Sequence, residues 1–127
     1  EGVNVIMIGG TLRKNLHCTV GPIAASTLSG LNVDKAFMAT NGLSIEKGLT
    51  TPDINQAEIK KIMIDIASEV IVLCDSSKLG KNSFVQFAPL NRIDKLITNN
   101  GVNSEYINEL SGVDIDIVTV EAPDDID

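Results

Sequence analysis

The residues of this chain whose types could do chemistry sit in short polar runs that follow apolar ones. Asp75-Ser76-Ser77-Lys78 is the densest, with a carboxylate, two hydroxyls and an ammonium placed directly after Val70-Ile71-Val72-Leu73-Cys74. A carboxylate accepts hydrogen bonds from sugar hydroxyls, and a lysine meets phosphate as a point charge, so the run suits an anionic, polyhydroxylated ligand. The same residues equally make a solvated turn, with Asp and Ser bonded to the local backbone and Lys facing water. Gly9-Gly10 either lets backbone approach a ligand closely or simply turns the chain. It is not a dinucleotide fingerprint, because Thr11-Leu12-Arg13 supplies no third glycine in place, and no Gly-Lys-Ser/Thr follows to make a Walker loop. Asn41-Gly42 is a turn signal whose amide can also bond a ligand hydroxyl. His17 and Cys18 adjoin without spaced partners and read as structural or surface residues. Asp34 and Asp75 are single carboxylates with no paired acid or base. No catalytic residue, metal site or cofactor is expected.

Those polar runs need elements to hold them. Val3 to Ile8 reads as a buried strand stopped by Gly9-Gly10, and Thr11 to Val20 as a polar, irregular stretch. Pro22 opens a helix to about Leu31, since its fixed φ and missing donor suit the first helical position. Val33 to Thr40 reads as a strand, followed by a glycine-containing loop to Thr51. A helix is expected over Asp53–Ser68, capped by Thr51 or Asp53, with Ile59, Ile62, Met63 and Ile66 as its buried stripe. Val70 to Cys74 is continuously apolar, as a strand covered on both faces should be. Ser83 to Ala88 reads as a short strand or loop, and Pro89 as the start of a helical turn. Lys95 to Thr98 reads as a strand, Ser104 to Leu110 as a helix, and Ile115 to Val120 as a strand near an edge. Alternating strands and helices imply an α/β fold, a mostly parallel sheet with helices on both faces. Ligands of such folds bind at the carboxyl ends of strands, where Gly9-Gly10, Asn41-Gly42, Asp75 to Lys78 and Asn99-Asn100-Gly101 all fall.

Composition bounds the function classes. The chain has 127 residues, 43% hydrophobic and 21% charged, which is enough apolar content for one packed domain. Its formal net charge is −7, an argument against gripping nucleic acid or an anionic membrane with this piece. The acidity is local: residues 1–100 carry all 10 basic and 9 of the 17 acidic residues, and residues 101–127 carry the remaining 8. Aromatic-basic interleaving of the kind that binds nucleic acid is absent. No apolar run of about 20 residues is present, so no transmembrane helix is expected. Two cysteines 56 positions apart form no disulfide framework, and a reduced, cytoplasmic setting is the default. The chain opens on Glu1 rather than Met and is read as a piece of a longer product, with residues 1–120 as a domain and 121–127 as an acidic tail.

The order of the motifs carries more information than any one of them. Ile8-Gly9-Gly10-Thr11-Leu12-Arg13, Val20-Gly21-Pro22, Val33 to Ser44, Gly48-Leu49-Thr50-Thr51-Pro52, Gln56 to Met63, Asp75-Ser76-Ser77-Lys78-Leu79-Gly80 and Leu96-Ile97-Thr98-Asn99 succeed one another. This series resembles the C-terminal sensor domain of DeoR-family transcriptional regulators, over about residues 5 to 120. The resemblance implies a Rossmann-like sensor fold similar to sugar-phosphate isomerases. It implies a bacterial repressor of sugar metabolism, not an enzyme, that binds a phosphorylated sugar or similar metabolite. Operator DNA would be bound only through a helix-turn-helix domain absent from these residues, and the whole would be a homo-oligomer with no membrane association. The family pattern also has an earlier strand leading to an Asp-x-Gly-Thr-Thr phosphate loop, which does not precede Gly9 here, so the front of the sensor is expected to be missing. Carried onto this sequence, the resemblance assigns ligand contacts to Gly9, Gly10, Asn41, Gly42, Asp75 and Lys78. A sugar-phosphate isomerase or deaminase of the same fold is the alternative.

Overall fold

A computed structural model describes residues 2–101 and 103–121. Its elements in chain order are β1 (Thr11–Arg13), β2 (Cys18–Val20), α1 (Pro22–Ser29), β3 (Val33–Met38), β4 (Gly42–Ser44), β5 (Gly48–Thr51), α2 (Ile54–Asp65), β6 (Ala67–Leu73), β7 (Val85–Ala88), β8 (Lys95–Asn99), α3 (Ser104–Ser111) and β9 (Asp116–Val120). Strands β3, β6, β8 and β9 form a four-stranded sheet in that order, parallel throughout. The expected parallel sheet is therefore present, with β6 inside it and β9 at an edge, as their apolar patterns anticipate. The acidic tail from Ala122 lies outside the described residues.

Two segments read as irregular are hairpins. β1 and β2 pair antiparallel around a turn in which His17 takes φ +48°. β4 and β5 pair antiparallel, and β7 joins β5 to complete a separate three-stranded sheet. These strands are only three or four residues long, too short to show the period-2 alternation by which strands are recognised. Gly48, at φ +68°, begins β5, and a side chain there would collide with the Ala88 carbonyl.

Val3 to Ile8 is the principal departure from expectation. The segment has no strand partner among the described residues, and Val3, Val5, Ile6 and Met7 are 78–91% exposed. A strand needs a neighbouring ladder to satisfy its N–H and C=O groups, and apolar composition alone does not supply one.

The core explains the layering. Ala36, Met38, Val70, Val72 and Leu96 lie on one face of the large sheet and pack with Ala57 and Ile64 of α2, Leu110 of α3, and Leu43, Leu49 and Phe87 of the small sheet. α1 packs on α2 through Val20, Ala24 and Ile59. By strand alternation the opposite face of the large sheet carries Phe37, Leu73, Val118 and Val120, all exposed. Helices on both faces were expected; among the described residues α2 and α3 cover one.

Helix α2 starts where its cap dictates. Asp53 Oδ1 accepts the Gln56 N–H at 3.0 Å, and Oδ2 pairs with Arg13 of the β1 strand. The Gln56 side-chain amide reaches Cys18 Sγ at 3.2 Å. One residue thereby both caps α2 and fastens the β1–β2 hairpin to it.

Candidate ligand site

The Asp75 loop is shaped by its own polar side chains. Asp75 caps a single helical turn over Ser76–Lys78, its Oδ1 accepting the Ser77 N–H at 2.9 Å and the Ser77 hydroxyl. Those two hydrogen bonds favour the ionised form and hold the Asp75 carboxyl below the ordinary carboxylate range. Asp75 is itself fully exposed. Behind it, burial first and the Asp75 charge second push the Cys74 thiol up to about 11, so Cys74 is a protonated, inert thiol at neutral pH. The Ser76 N–H donates to Asn99 Oδ1 at 2.6 Å, tying the loop after β6 to the end of β8. A side chain on Gly101 would come within 2.7 Å of the Ser76 hydroxyl, so this corner accepts only glycine without rearrangement.

The other side of the loop docks on β4. The Gly80 N–H donates to the Leu43 carbonyl at 2.8 Å, and Leu79 bridges Leu43. A Cβ on Gly42 would stand 2.5 Å from the Lys81 carbonyl oxygen and 2.7 Å from Thr50 Oγ1, so only hydrogen lets the Lys81 backbone lie on this strand. Asn41 Oδ1 accepts the Thr51 hydroxyl at 3.2 Å. The Tyr106 hydroxyl of α3 contacts the Leu43 carbonyl at 3.4 Å, and burial raises its pKa.

Of the sequence-predicted residues, Gly42 meets the far end of the Asp75–Lys81 loop, against the Lys81 backbone, and Asp75 and Lys78 flank the single helical turn at its start. A cleft of about 340 Å³ is lined by Leu73, Cys74, Asp75, Asn99 and Val120 among others, and Asn41, Gly42 and Lys78 are not in its wall. Gly9 and Gly10 lie elsewhere, against the β1–β2 hairpin and α1. A side chain on Gly10 would come within 2.8 Å of the Val20 carbonyl and 2.9 Å of Ala24 Cβ, so that glycine serves local packing, whereas Gly9 faces open space. The larger cavity, about 430 Å³, belongs to that region and is walled by Met7, Ile8, Val20, Leu28, Ile59 and Lys60 among others. Burial lowers the Lys60 pKa, and its ammonium donates to the Ala39 carbonyl at 3.0 Å and lies 4.9 Å from the Phe87 ring centre.

Asn99 and Gly101, expected only as part of a strand-end loop, and Tyr106, for which the sequence suggests no role, buttress the Asp75 loop from β8 and α3. Asn99-Asn100-Gly101 was visible as a polar strand end; Tyr106 gave no signal, because its partner Leu43 is 63 residues away. Among the described residues no group of three or more His, Cys, Asp or Glu side chains could hold a metal ion, and no helix is long and apolar enough to cross a membrane.

Residues 1–100 match the family described as the DeoR C terminal sensor domain. The chain is 40% identical over 118 residues to the HTH-type transcriptional regulator GlpR of Haloferax volcanii, covering 93% of this chain and 46% of that protein. It is 36% identical over 121 residues to the HTH-type transcriptional repressor GlcR of Bacillus subtilis, covering 95% and 46%. It is 28% identical over 120 residues to a putative aga operon transcriptional repressor of Escherichia coli O157:H7, covering 94% and 45%. The chain spans about half the length of the curated relatives it matches. With a family match over most of its length, this chain belongs to the DeoR C-terminal sensor domain family.

Proposed function

We propose that this domain senses an effector for a transcriptional repressor of sugar metabolism. It binds a phosphorylated sugar or similar metabolite at the carboxyl end of the parallel sheet, in a fold similar to that of sugar-phosphate isomerases. Occupancy changes the operator affinity of a helix-turn-helix domain elsewhere in the longer, cytoplasmic, oligomeric protein. The observation that carries this reading is the convergence of Asn41-Gly42 with the Asp75–Lys81 loop, in a chain whose relatives are named as regulators. In this reading Lys78 meets the phosphate, and Asp75 and Asn41 meet hydroxyls. The domain has a regulatory rather than a catalytic role.

A repressor of this kind needs a ligand that binds its two states unequally, by about 1–3 kcal/mol or roughly 5–150-fold in operator affinity. The full-length protein is titrated onto labelled operator DNA with glucose 6-phosphate, fructose 1-phosphate, ribose 5-phosphate and glycerol 3-phosphate. At least one should shift operator affinity within that range, and Lys78→Ala should weaken the response without unfolding the protein. If all four leave operator affinity and thermal stability unchanged, the sensing reading fails.

A further inference from the structure

We propose that Asn100-Gly101 is a site of spontaneous covalent modification, at which Asn100 loses its amide through a cyclic imide and the isoaspartyl product loosens the Asp75 loop. Four asparagines of the chain precede Gly or Ser, the neighbours small enough to let the next backbone nitrogen reach the side-chain Cγ: Asn41, Asn82, Asn100 and Asn103. The fold separates them. Asn41 Oδ1 accepts the Thr51 hydroxyl at 3.2 Å, Asn82 Oδ1 accepts the Ser44 hydroxyl, and Asn103 Oδ1 accepts the Glu105 N–H at 3.0 Å. Each of those bonds must open before Cγ can turn toward the following nitrogen. Among the described residues, neither the Asn100 side chain nor the Gly101 N–H makes a hydrogen bond. The two Asn-Gly pairs also differ in access to water. Gly42 is buried beneath the Lys81 backbone, whereas Asn100 and Gly101 form an exposed turn after β8.

The reaction needs only water and hydroxide. The Gly101 nitrogen gives up its proton and bonds to Asn100 Cγ. The bond from Cγ to Nδ2 breaks, and Nδ2 leaves as ammonia after taking up a proton. Water then opens the imide, and nothing is oxidised or reduced. Cleavage between the nitrogen and Cγ leaves an ordinary aspartate. Cleavage between the nitrogen and the main-chain carbonyl carbon leaves the chain running through Cγ, longer by a methylene. That methylene enters a corner with no room for it. The Asn100 N–H is held on the Val120 carbonyl at 3.0 Å, and even a Cβ on Gly101 would stand 2.7 Å from Ser76 Oγ. The lengthened turn therefore pushes Gly101 away from Ser76, whose N–H fastens the loop to Asn99. Both products also add a negative charge at the end of β8, which disfavours an anionic ligand nearby. That last consequence alone rests on the sensing reading.

Full-length protein is incubated in mildly alkaline buffer, native and in guanidinium chloride, and mapped by peptide mass spectrometry with isoaspartyl and aspartyl peptides separated. Unfolded, Asn41 and Asn100 should convert at comparable rates. In the native protein Asn100 should convert at least about tenfold faster than Asn41. A native ratio no larger than the unfolded one overturns the assignment, as does native protein in which Asn100 stays intact. Hydrogen exchange at the Ser76 amide should be at least about threefold faster in the isoaspartyl fraction than in fresh protein. Asn100→Gln, incubated alike, should keep the fresh-protein rate, because its longer side chain does not close the same ring. Unchanged Ser76 exchange in the isoaspartyl fraction overturns the loosening. Neither effector nor operator enters these measurements, so failure here is separable from failure of the sensing reading.

Discussion

Replacing Gly42 by Ala asks whether the Asp75–Lys81 loop is held against β4 by the absence of a side chain. The added Cβ would stand 2.5 Å from the Lys81 carbonyl oxygen and 3.0 Å from its carbon, both backbone atoms, and 2.7 Å from Thr50 Oγ1. No flexible side-chain end can swing away, so strand and loop must part. Overpacking of this kind costs about 1–3 kcal/mol. Gly42 is not in the left-handed region, so Ala itself is unstrained there and offsets about 0.5–1 kcal/mol through the reduced entropy of the unfolded chain. The net expectation is a loss of about 0.5–2 kcal/mol in urea unfolding of the full-length protein, with the slope unchanged. Gly30→Ala is the control, because its Cβ would make only an ordinary contact at 3.7 Å with the Thr27 carbonyl, and it should shift stability by less than about 0.5 kcal/mol. The functional consequence separates the two further. Displacing Lys81 loosens the Gly80–Leu43 hydrogen bond, so Gly42→Ala should weaken the effector response and Gly30→Ala should not. Wild-type stability and response in Gly42→Ala would refute the packing reasoning.

Two other outcomes follow from the geometry. Asp53→Ala removes the α2 cap and the Arg13 pair together and should cost about 1–2 kcal/mol in urea unfolding, whereas Asp53→Asn keeps a capping oxygen and should cost less than about 1 kcal/mol, all of it lost at high salt. Cys74 provides a pH test: its folded pKa of about 11 lies above the ordinary thiol value of 9.0, so its contribution to stability is fully present below pH 9 and is lost as pH rises through 11. Iodoacetamide labelling at pH 9, read by peptide mass spectrometry, should modify Cys74 at least tenfold more slowly in native than in urea-unfolded protein, and equal rates would contradict its burial.

Much of the scaffold was legible because it is written in local pattern. The continuous apolar run of β6 marks a strand inside a sheet, and the alternation of β9 marks an edge. Asp53 caps α2 through a hydrogen bond three residues away, within reach of any sequence reading. The Asp75 loop was legible for the same reason, since Asp75 and Ser77 bond each other. The β4–β5–β7 sheet was not, because strands of three or four residues carry no period and their identity depends on pairing across up to 39 residues, from Leu49 to Ala88. Val3 to Ile8 shows the converse: its composition asks for a strand, but only a neighbouring ladder makes one.

By itself the sequence determined the mostly parallel α/β scaffold, the polar loops at its strand ends and the family to which their order belongs. These depend on residue type and on contacts a few positions apart. Only the tertiary structure decided which loops meet. It brought Asn41-Gly42 onto Lys81 and left Gly9-Gly10 with α1, because close approach depends on what backbone a missing Cβ admits. Among the described residues it also left Phe37, Leu73, Val118 and Val120 of the large sheet exposed and β3 paired on one side only. Whether an apolar surface is buried depends on the neighbours packed against it, and composition does not contain them.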